Sequence, residues 1–482
     1  MQELILLALG HAGASLALLF TLNVVLIASV IVLENRAPER AHGWLLVLFA
    51  FPLIGFILYL FFGHNWHRKS KRARVKAFEN MKRWREEAKK DLALLANRSH
   101  AERHLRYLTT TVTGLRPTNG NKLHILTDAQ IAYPDIIHAL KSAKKCIDLE
   151  FYIFRYDDFG KEIIEILKER SKNGIRVRLL VDGYGSIGFG AKAFRDLRQA
   201  GVYAQYFAPL ITFFYFFKAN YRDHRKMIVI DDEIAYTGGM NIGNEYLGRA
   251  DHGHWRDTMI RIEGPAVRQM HTLFESSWRR STKKAHSELY PRQEISPADS
   301  GGIVSLIPSG PDTEWFAIQR VYLELIHGAE KRIIIQTPYF VPDSSIQEAL
   351  INAALRGIDV QILIPKKPDH PIFRWIAMTY FGDLLRAGAR IFEYQPGFLH
   401  QKVMIADDDL ATIGTCNIDI RSFRLDFEVN LLLSDTQAIQ HLLEDVRMDI
   451  EQSHELDHEQ YLKRSFPVRI LESLARLIAP LV

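Results

Sequence analysis

The pattern His-x-Lys-(x)4-Asp occurs twice in this chain. The first copy is His224, Lys226 and Asp231 in HRKMIVID, and the second is His400, Lys402 and Asp407 in HQKVMIAD. Asn241 in GGMN follows the first His by 241 − 224 = 17 residues, and Asn417 in GTCN follows the second by 417 − 400 = 17. Two four-residue sets at equal offsets are not a chance recurrence. They require a scaffold that is itself duplicated.

The segments KMIVI and KVMIA are apolar and β-branched, so both motifs predict β-strands. Residues i and i+2 of a strand face the same side, which places each His beside its Lys. Each Asp stands seven positions from its His, an odd offset that turns it away or into the turn beyond. A Gly-rich turn and a second strand then bring each Asn back beside its His and Lys. Two facing half-sites of this kind suit a phosphodiester. One neutral imidazole attacks phosphorus, and a protonated one supplies the proton for the leaving alkoxide. The two lysines offset charge on the equatorial oxygens, and with lysines in that role no metal or other cofactor is needed.

The surroundings of the motifs repeat as well. CIDLEFYIF, KEIIEILKERSKNG and IRVRLLVDG precede the first, and RIIIQTPYFV, SIQEALINAALRG and IDVQILIPKK precede the second. Each set reads strand, helix, strand, with Gly174 and Gly357 placed to end the helices. This alternation predicts an α/β fold with largely parallel strands, built as two similar halves packed together around one shared active site.

The N-terminus has a different character. Residues 4–33 contain no Lys, Arg, Asp or Glu, and neither does WLLVLFAFPLIGFILYLFF, residues 44–62. Each stretch is long enough to span a bilayer as a helix. Arg68, Lys69, Lys71, Arg72, Arg74 and Lys76 follow at once. The positive-inside rule puts this flank and the large domain beyond it in the cytoplasm, and the cluster attracts anionic headgroups. The expected organisation is two transmembrane helices over 1–63, a basic juxtamembrane tether over 64–110, halves over 111–290 and 291–460, and a C-terminal amphipathic segment over 461–482. That last segment and the aromatic stretch YFAPLITFFYFFKANYR, residues 206–222, are candidate membrane contacts. The only two cysteines, Cys146 and Cys416, exclude a disulfide framework or a Cys-based zinc site. A net charge of +5 over 482 residues does not mark a dedicated nucleic-acid binder.

The duplicated motif resembles the signature of the phospholipase D superfamily. That resemblance implies a covalent phosphohistidine on one His, with His224 the first choice and the reverse order open, and general acid-base work by the other. It also implies a carboxylate after each Asn that orients a His ring: Glu428 in DFEVN for the second motif, and Asp257 in WRDTM, at a longer spacing, for the first. With the two membrane segments and the stretches GGMNIGNEYLGR, TPYFVPD and NIDIRSFRLDFEVN, the whole chain resembles the bacterial cardiolipin synthases of the phospholipase D type. The implied activity is transfer of a phosphatidyl group between two phosphatidylglycerol molecules, giving cardiolipin and glycerol at the cell membrane. Hydrolysis of phospholipid to phosphatidic acid uses the same intermediate and is the alternative. The chain departs from that pattern at Asp426, where Asn is expected, and at Thr415, where the wider superfamily often has Ser.

Overall fold

The computed structural model describes residues 71–94, 99–208, 220–249, 253–282 and 301–479, with isolated positions between 20 and 59. The two expected membrane segments and the centre of the aromatic stretch, 209–219, fall almost wholly outside these residues. No helix among the described residues is long and apolar enough to cross a membrane. The chain divides into two units. Residues 1–68 with 210–220 form one, in which Leu48 and Tyr59 are buried; residues 69–209 with 221–482 form the other.

The large unit opens with two helices, α1 (Lys71–Leu94) and α2 (His100–Thr113), in the region read from sequence as a tether. Helix α2 is capped by the Ser99 side chain, which accepts from Glu102 N, and ends at Gly114 with φ 73°. Its buried Arg106 pairs with Glu102 and donates to Ser305 and Ser434, which fixes the helix to the sheet.

The first half follows: β1 (Thr118–Thr127), α3 (Ala129–Ser142), β2 (Cys146–Phe151), α4 (Asp158–Lys172), β3 (Arg176–Asp182), α5 (Gly190–Gln199), β4 (Tyr203–Phe207), β5 (Lys226–Ile230), β6 (Ile234–Gly238), β7 (His254–Arg256), β8 (Thr258–Glu263) and α6 (Ala266–Thr282). The second half repeats it: β9 (Gly302–Ser309), α7 (Ala317–Gly328), β10 (Arg332–Gln336), β11 (Phe340–Val341), α8 (Ser344–Leu355), β12 (Asp359–Pro365), α9 (Pro371–Ala387), β13 (Arg390–Tyr394), β14 (Gly397–Leu399), β15 (Val403–Ala406), β16 (Leu410–Gly414), β17 (Ile418–Asp419), α10 (Ile420–Arg424), β18 (Glu428–Ser434) and α11 (Thr436–Glu451). Strand β19 (Ser453–Glu455) and helices α12 (His458–Leu462) and α13 (Phe466–Ile478) complete the unit. The strand–helix–strand units read from sequence are β2–α4–β3 and β10–α8–β12. Asp157 and Asp343 cap their helices, and Gly174 and Gly357 end them, both at φ 85°.

One sheet of 15 strands runs through both halves in the order β19-β13-β12-β10-β15-β16-β18-β9-β1-β8-β6-β5-β2-β3-β4. From the antiparallel β1–β9 pair outward seven strands of each arm match, with β19 added at the edge of the second half, so the halves are related by an approximate twofold through that pair. The expectation of largely parallel strands is corrected. Parallel pairing within this sheet is confined to β2–β3–β4 and β10–β12–β13, where helices make the crossovers. The motif strands β5 and β15 instead enter tight hairpins with β6 and β16, and a hairpin can only pair antiparallel. Both motif strands are buried along their whole length, under helices on either face. Each fully buried Ile or Val there contributes on the order of 2 kcal/mol. The motif positions therefore rest on a rigid centre rather than on mobile loops.

Candidate active site

The residues just before β5 and β15 reach across the approximate twofold. Phe427 N donates to Arg222 O at 2.8 Å and His224 N to Phe427 O at 2.9 Å, tying the first motif to the segment that carries Glu428. On the other side, β14 pairs parallel with β7, and His400 N donates to Arg256 O at 2.7 Å. Each His is thus stitched by backbone bonds to the carboxylate segment of the opposite half.

The side chains follow the backbone. His224 Nδ1 lies 2.9 and 3.1 Å from the two carboxyl oxygens of Glu428, and His400 Nδ1 lies 2.7 Å from Asp257 Oδ2. The carboxylate that follows the second Asn holds the first His, and the reverse. The unequal spacing of Asp257 and Glu428 in sequence disappears in the sheet. Met259 pairs with Gly238 and Asn430 with Gly414, so Asp257 and Glu428 occupy the same position two residues earlier. The additional residues of the first half lie between β6 and β8. A Cβ on Gly239 would stand 2.1 Å from Asp257 Oδ1, so this position has no room for a side chain. Its counterpart Thr415 uses its hydroxyl to donate to Glu428 Oε2.

Lys226 and Lys402 each donate to the carbonyl oxygen of their own His, the former at 2.7 Å, which uses one of three ammonium protons. Burial pulls Lys226 down to about 7 and Lys402 down to about 8, against the pull of Glu428 and Asp257. Burial, reinforced by both lysine charges, also holds His224 and His400 well below the ordinary imidazole value. Both rings therefore stand neutral at neutral pH, with Nδ1 on the carboxyl side. When its carboxyl partner is ionised, each Nδ1 carries the proton and Nε2 keeps a free lone pair. Burial raises Asp257 to about 7 and Glu428 well above its usual range. A phosphodiester anion set between the two lysines would offset their charges and so favour protonation of a ring.

The motif aspartates are elsewhere. Asp231 lies in the turn after β5, about 20 Å along the strand from His224. It accepts from the backbone N–H of Lys144, Lys145 and Cys146 at 2.7, 2.7 and 2.8 Å. Asp407 accepts from Glu330, Lys331 and Arg332 at 3.1, 2.7 and 3.0 Å. Both have left-handed backbones, at φ 56° and 53°. They bind each motif strand to the start of its neighbour, and neither approaches the His and Lys. Asn241 also turns inward: Oδ1 accepts from Ile153 N at 3.0 Å and Nδ2 donates to the Tyr246 hydroxyl. Asn417 is buried, and its Oδ1 has no protein donor.

Aromatic rings that the sequence reading did not single out line the imidazoles. Tyr152 contacts His224 with ring centres 4.8 Å apart, and lies 5.3 Å from Lys226 Nζ. Phe398, Trp255 and Tyr246 surround His400 at 5.4, 5.5 and 5.9 Å. Their signal in the sequence is adjacency: Tyr152 follows the last residue of β2, and Trp255 stands two before Asp257. Among the described residues no group of three or more His, Cys, Asp or Glu side chains is arranged to hold a metal ion.

The chain has extensive relatives. The family model described as "Cardiolipin synthase, PLD-like domain" matches residues 136–278 and 322–450, and "Phospholipase D-nuclease N-terminal" matches 21–64. A cardiolipin synthase of Alkalihalophilus pseudofirmus is 40% identical over 473 residues, 97% of this chain and 94% of that one. A major cardiolipin synthase of Bacillus subtilis is 38% identical over 475 residues, covering 97% of this chain and 98% of that one. The crystal structure of a phosphatidylserine synthase from Haemophilus influenzae superimposes with a TM-score of 0.56 at 17% identity, over 78% of this chain and 98% of the other, a likeness of fold. Similarity of this extent, together with the duplicated halves, places the chain in the cardiolipin synthase family of phospholipase D-like proteins.

Proposed function

We propose that this protein is a phosphatidyltransferase that joins two phosphatidylglycerol molecules into cardiolipin and releases glycerol. The observation that carries the reading is the pair of imidazoles, His400 buried and His224 nearly so, each held at Nδ1 by the opposite half's carboxyl group and influenced by both lysine charges. In the first step His224 Nε2 attacks phosphorus of a bound phosphatidylglycerol. The bond from phosphorus to the glycerol oxygen breaks, and His400 gives that oxygen its proton. In the second step the headgroup hydroxyl of another phosphatidylglycerol passes its proton to His400 and attacks phosphorus, and the phosphorus–nitrogen bond breaks. Lys226 and Lys402 neutralise the phosphoryl oxygens, and Glu428 and Asp257 stabilise positive charge on the rings. Phosphodiester is exchanged for phosphodiester, so the reaction has little intrinsic driving force.

The reading includes anchorage in the bacterial cell membrane through residues 1–63, with the halves at 111–290 and 291–460 on the cytoplasmic side. The basic run from Arg68 to Lys76 supports this topology. Helix α13, in the segment 461–482, serves as a second membrane contact. Ala475 and Ala479 pack against Ile376 and Val341, and Glu472 pairs with Arg464. Phe466, Leu474 and Leu477 stand 72, 58 and 75% exposed, beside the exposed Arg469.

The test is product analysis by mass spectrometry. Full-length protein is incubated with phosphatidylglycerol vesicles and a chelator, with His224→Ala as control. Cardiolipin and glycerol, absent from the control, are expected. Phosphatidic acid without cardiolipin would replace transfer by hydrolysis.

A further inference from the structure

Beside the His224–Glu428 pair is a buried carboxyl group that the mechanism above does not use. Asp426 is 5% exposed, and its Oδ2 accepts from Arg421 Nε at 3.1 Å. Its Oδ1 is buried and makes no hydrogen bond of ordinary geometry among the described residues. Burial raises the group to about 7, while the backbone N–H of Arg222 favours its ionised form. Leaving a carboxylate oxygen without a well-placed partner in the interior is costly, so the position is poised for a better donor than the described residues supply.

Three observations place this carboxyl group on the active-site side. Residue Phe427 bridges Asp223 in parallel, which sets Asp426 opposite Arg222 and Glu428 opposite His224. The Phe427 ring turns into the core against Phe207, with ring centres 5.3 Å apart, so its neighbours Asp426 and Glu428 point the other way, to the side of His224. The charge of Asp426 also acts on Lys226, Glu428 and Tyr152, and that of Arg421 on His224, so the pair belongs to the same electrostatic cluster as the reacting groups.

The other polar groups nearby are already engaged. Asp182 accepts from the backbone N–H of Tyr184, Gly185 and Asp223 at 2.8, 3.1 and 3.1 Å, and Arg222 lies 3.7 Å from Asp182.

We propose that Asp426, held by Arg421, is an alcohol-recognition subsite: its Oδ1 accepts a hydrogen bond from a second hydroxyl of the glycerol headgroup whose other hydroxyl, or ester oxygen, is at phosphorus. The ligand class follows from the charges. Lys226 and Lys402 repel an ammonium headgroup, whereas a hydroxyl is a neutral donor that satisfies a carboxylate without bringing charge. A site built to bond a hydroxyl discriminates strongly against an analogue that lacks it, because the buried acceptor is then left empty.

The inference rests on the transferase reading, and one experiment separates the two. Full-length protein in phosphatidylglycerol vesicles is offered isotopically labelled glycerol and 1-propanol together. Labelled phosphatidylglycerol and phosphatidylpropanol are then quantified for wild type, D426N and D426L. Wild type should prefer glycerol. D426L should lower the glycerol-to-propanol ratio by about tenfold or more while still forming phosphatidylpropanol. D426N keeps an acceptor oxygen and should retain most of the preference. An unchanged ratio in D426L overturns the subsite alone. Equal use of the two alcohols by wild type overturns it without any variant. Failure to form either product removes the transfer reading, and the subsite with it.

Discussion

Replacing Glu428 by Gln isolates the contribution of one carboxyl group to catalysis. Glu428 is fully buried, touches His224 Nδ1 with both oxygens, and receives the Thr415 hydroxyl. Gln has nearly the same shape, so the ring stays in place while the capacity to become negative as the ring becomes positive is lost. During the proposed reaction the His224 ring becomes positive when it bonds phosphorus. A hydrogen bond to a charged group contributes about 1.5–3 kcal/mol, against about 1 for a neutral pair. The loss specific to the transition state is therefore about 1–2 kcal/mol, a fall in kcat of roughly 5- to 30-fold. A Gln amide that turns its NH2 toward Nδ1 would impose the wrong tautomer and deepen the loss. KM should stay constant, because Glu428 does not reach the lipid. Stability should barely change, because burial already favours the neutral form of this carboxyl group. The assay is initial glycerol release against phosphatidylglycerol mole fraction in vesicles, with a thermal melt on the same samples. A kcat within twofold of wild type, or a raised KM at constant kcat, would refute the assignment of Glu428 to the ring of His224.

Other consequences can be measured on the same preparation. His400→Asn removes the acid-base ring but leaves the nucleophile, so intact-protein mass spectrometry should detect a phosphatidyl adduct on His224; an adduct that appears only in His224→Asn would reverse the two roles. Lys226 and Lys402 hold their protons only up to about pH 7 and 8 in the free protein. Affinity for a soluble phosphodiester such as glycerophosphoglycerol should therefore fall as pH rises from 7 to 9, by up to about tenfold per unit for each lysine, and binding that stays flat to pH 9 would contradict the depressed values. Asp231→Ala loses three backbone hydrogen bonds and places Ala at φ 56°, a destabilisation of about 3–5 kcal/mol seen as a lower melting temperature, whereas kcat per folded molecule should hold within about twofold. Both native cysteines are buried, so a fluorophore on Leu474→Cys labels α13 selectively. Quenching by nitroxide-bearing lipids is expected, while quenching by aqueous iodide alone would remove the membrane contact.

The sequence by itself determined the duplication, the strand character of both motifs, the His–Lys pairing on one face and the helices ended by Gly174 and Gly357. These features are local: a period of two along a strand and a left-handed position at a helix end are properties of short segments, legible without knowing what packs where. Equal offsets in the two motifs carried the internal symmetry, and with it the expectation of one shared site.

Only the tertiary structure decided which groups meet. That Glu428 holds His224 and Asp257 holds His400 depends on backbone bonds between halves more than 140 residues apart, and no spacing encodes them. The longer interval before Asp257 cancels in the β6–β8 register, which leaves the carboxyl group at the same place as in the second half. Asn241 and the motif aspartates repeat as faithfully as the His and Lys, yet their side chains brace the strands, because recurrence records a duplicated scaffold and does not distinguish its supports from its reacting groups. Asp426 looked in sequence like a single departure beside Glu428. Its place follows from the packing that turns Phe427 into the core and sets the Asp426 carboxyl group in the same electrostatic cluster as Lys226 and Glu428, a consequence of long-range contacts that local pattern does not specify.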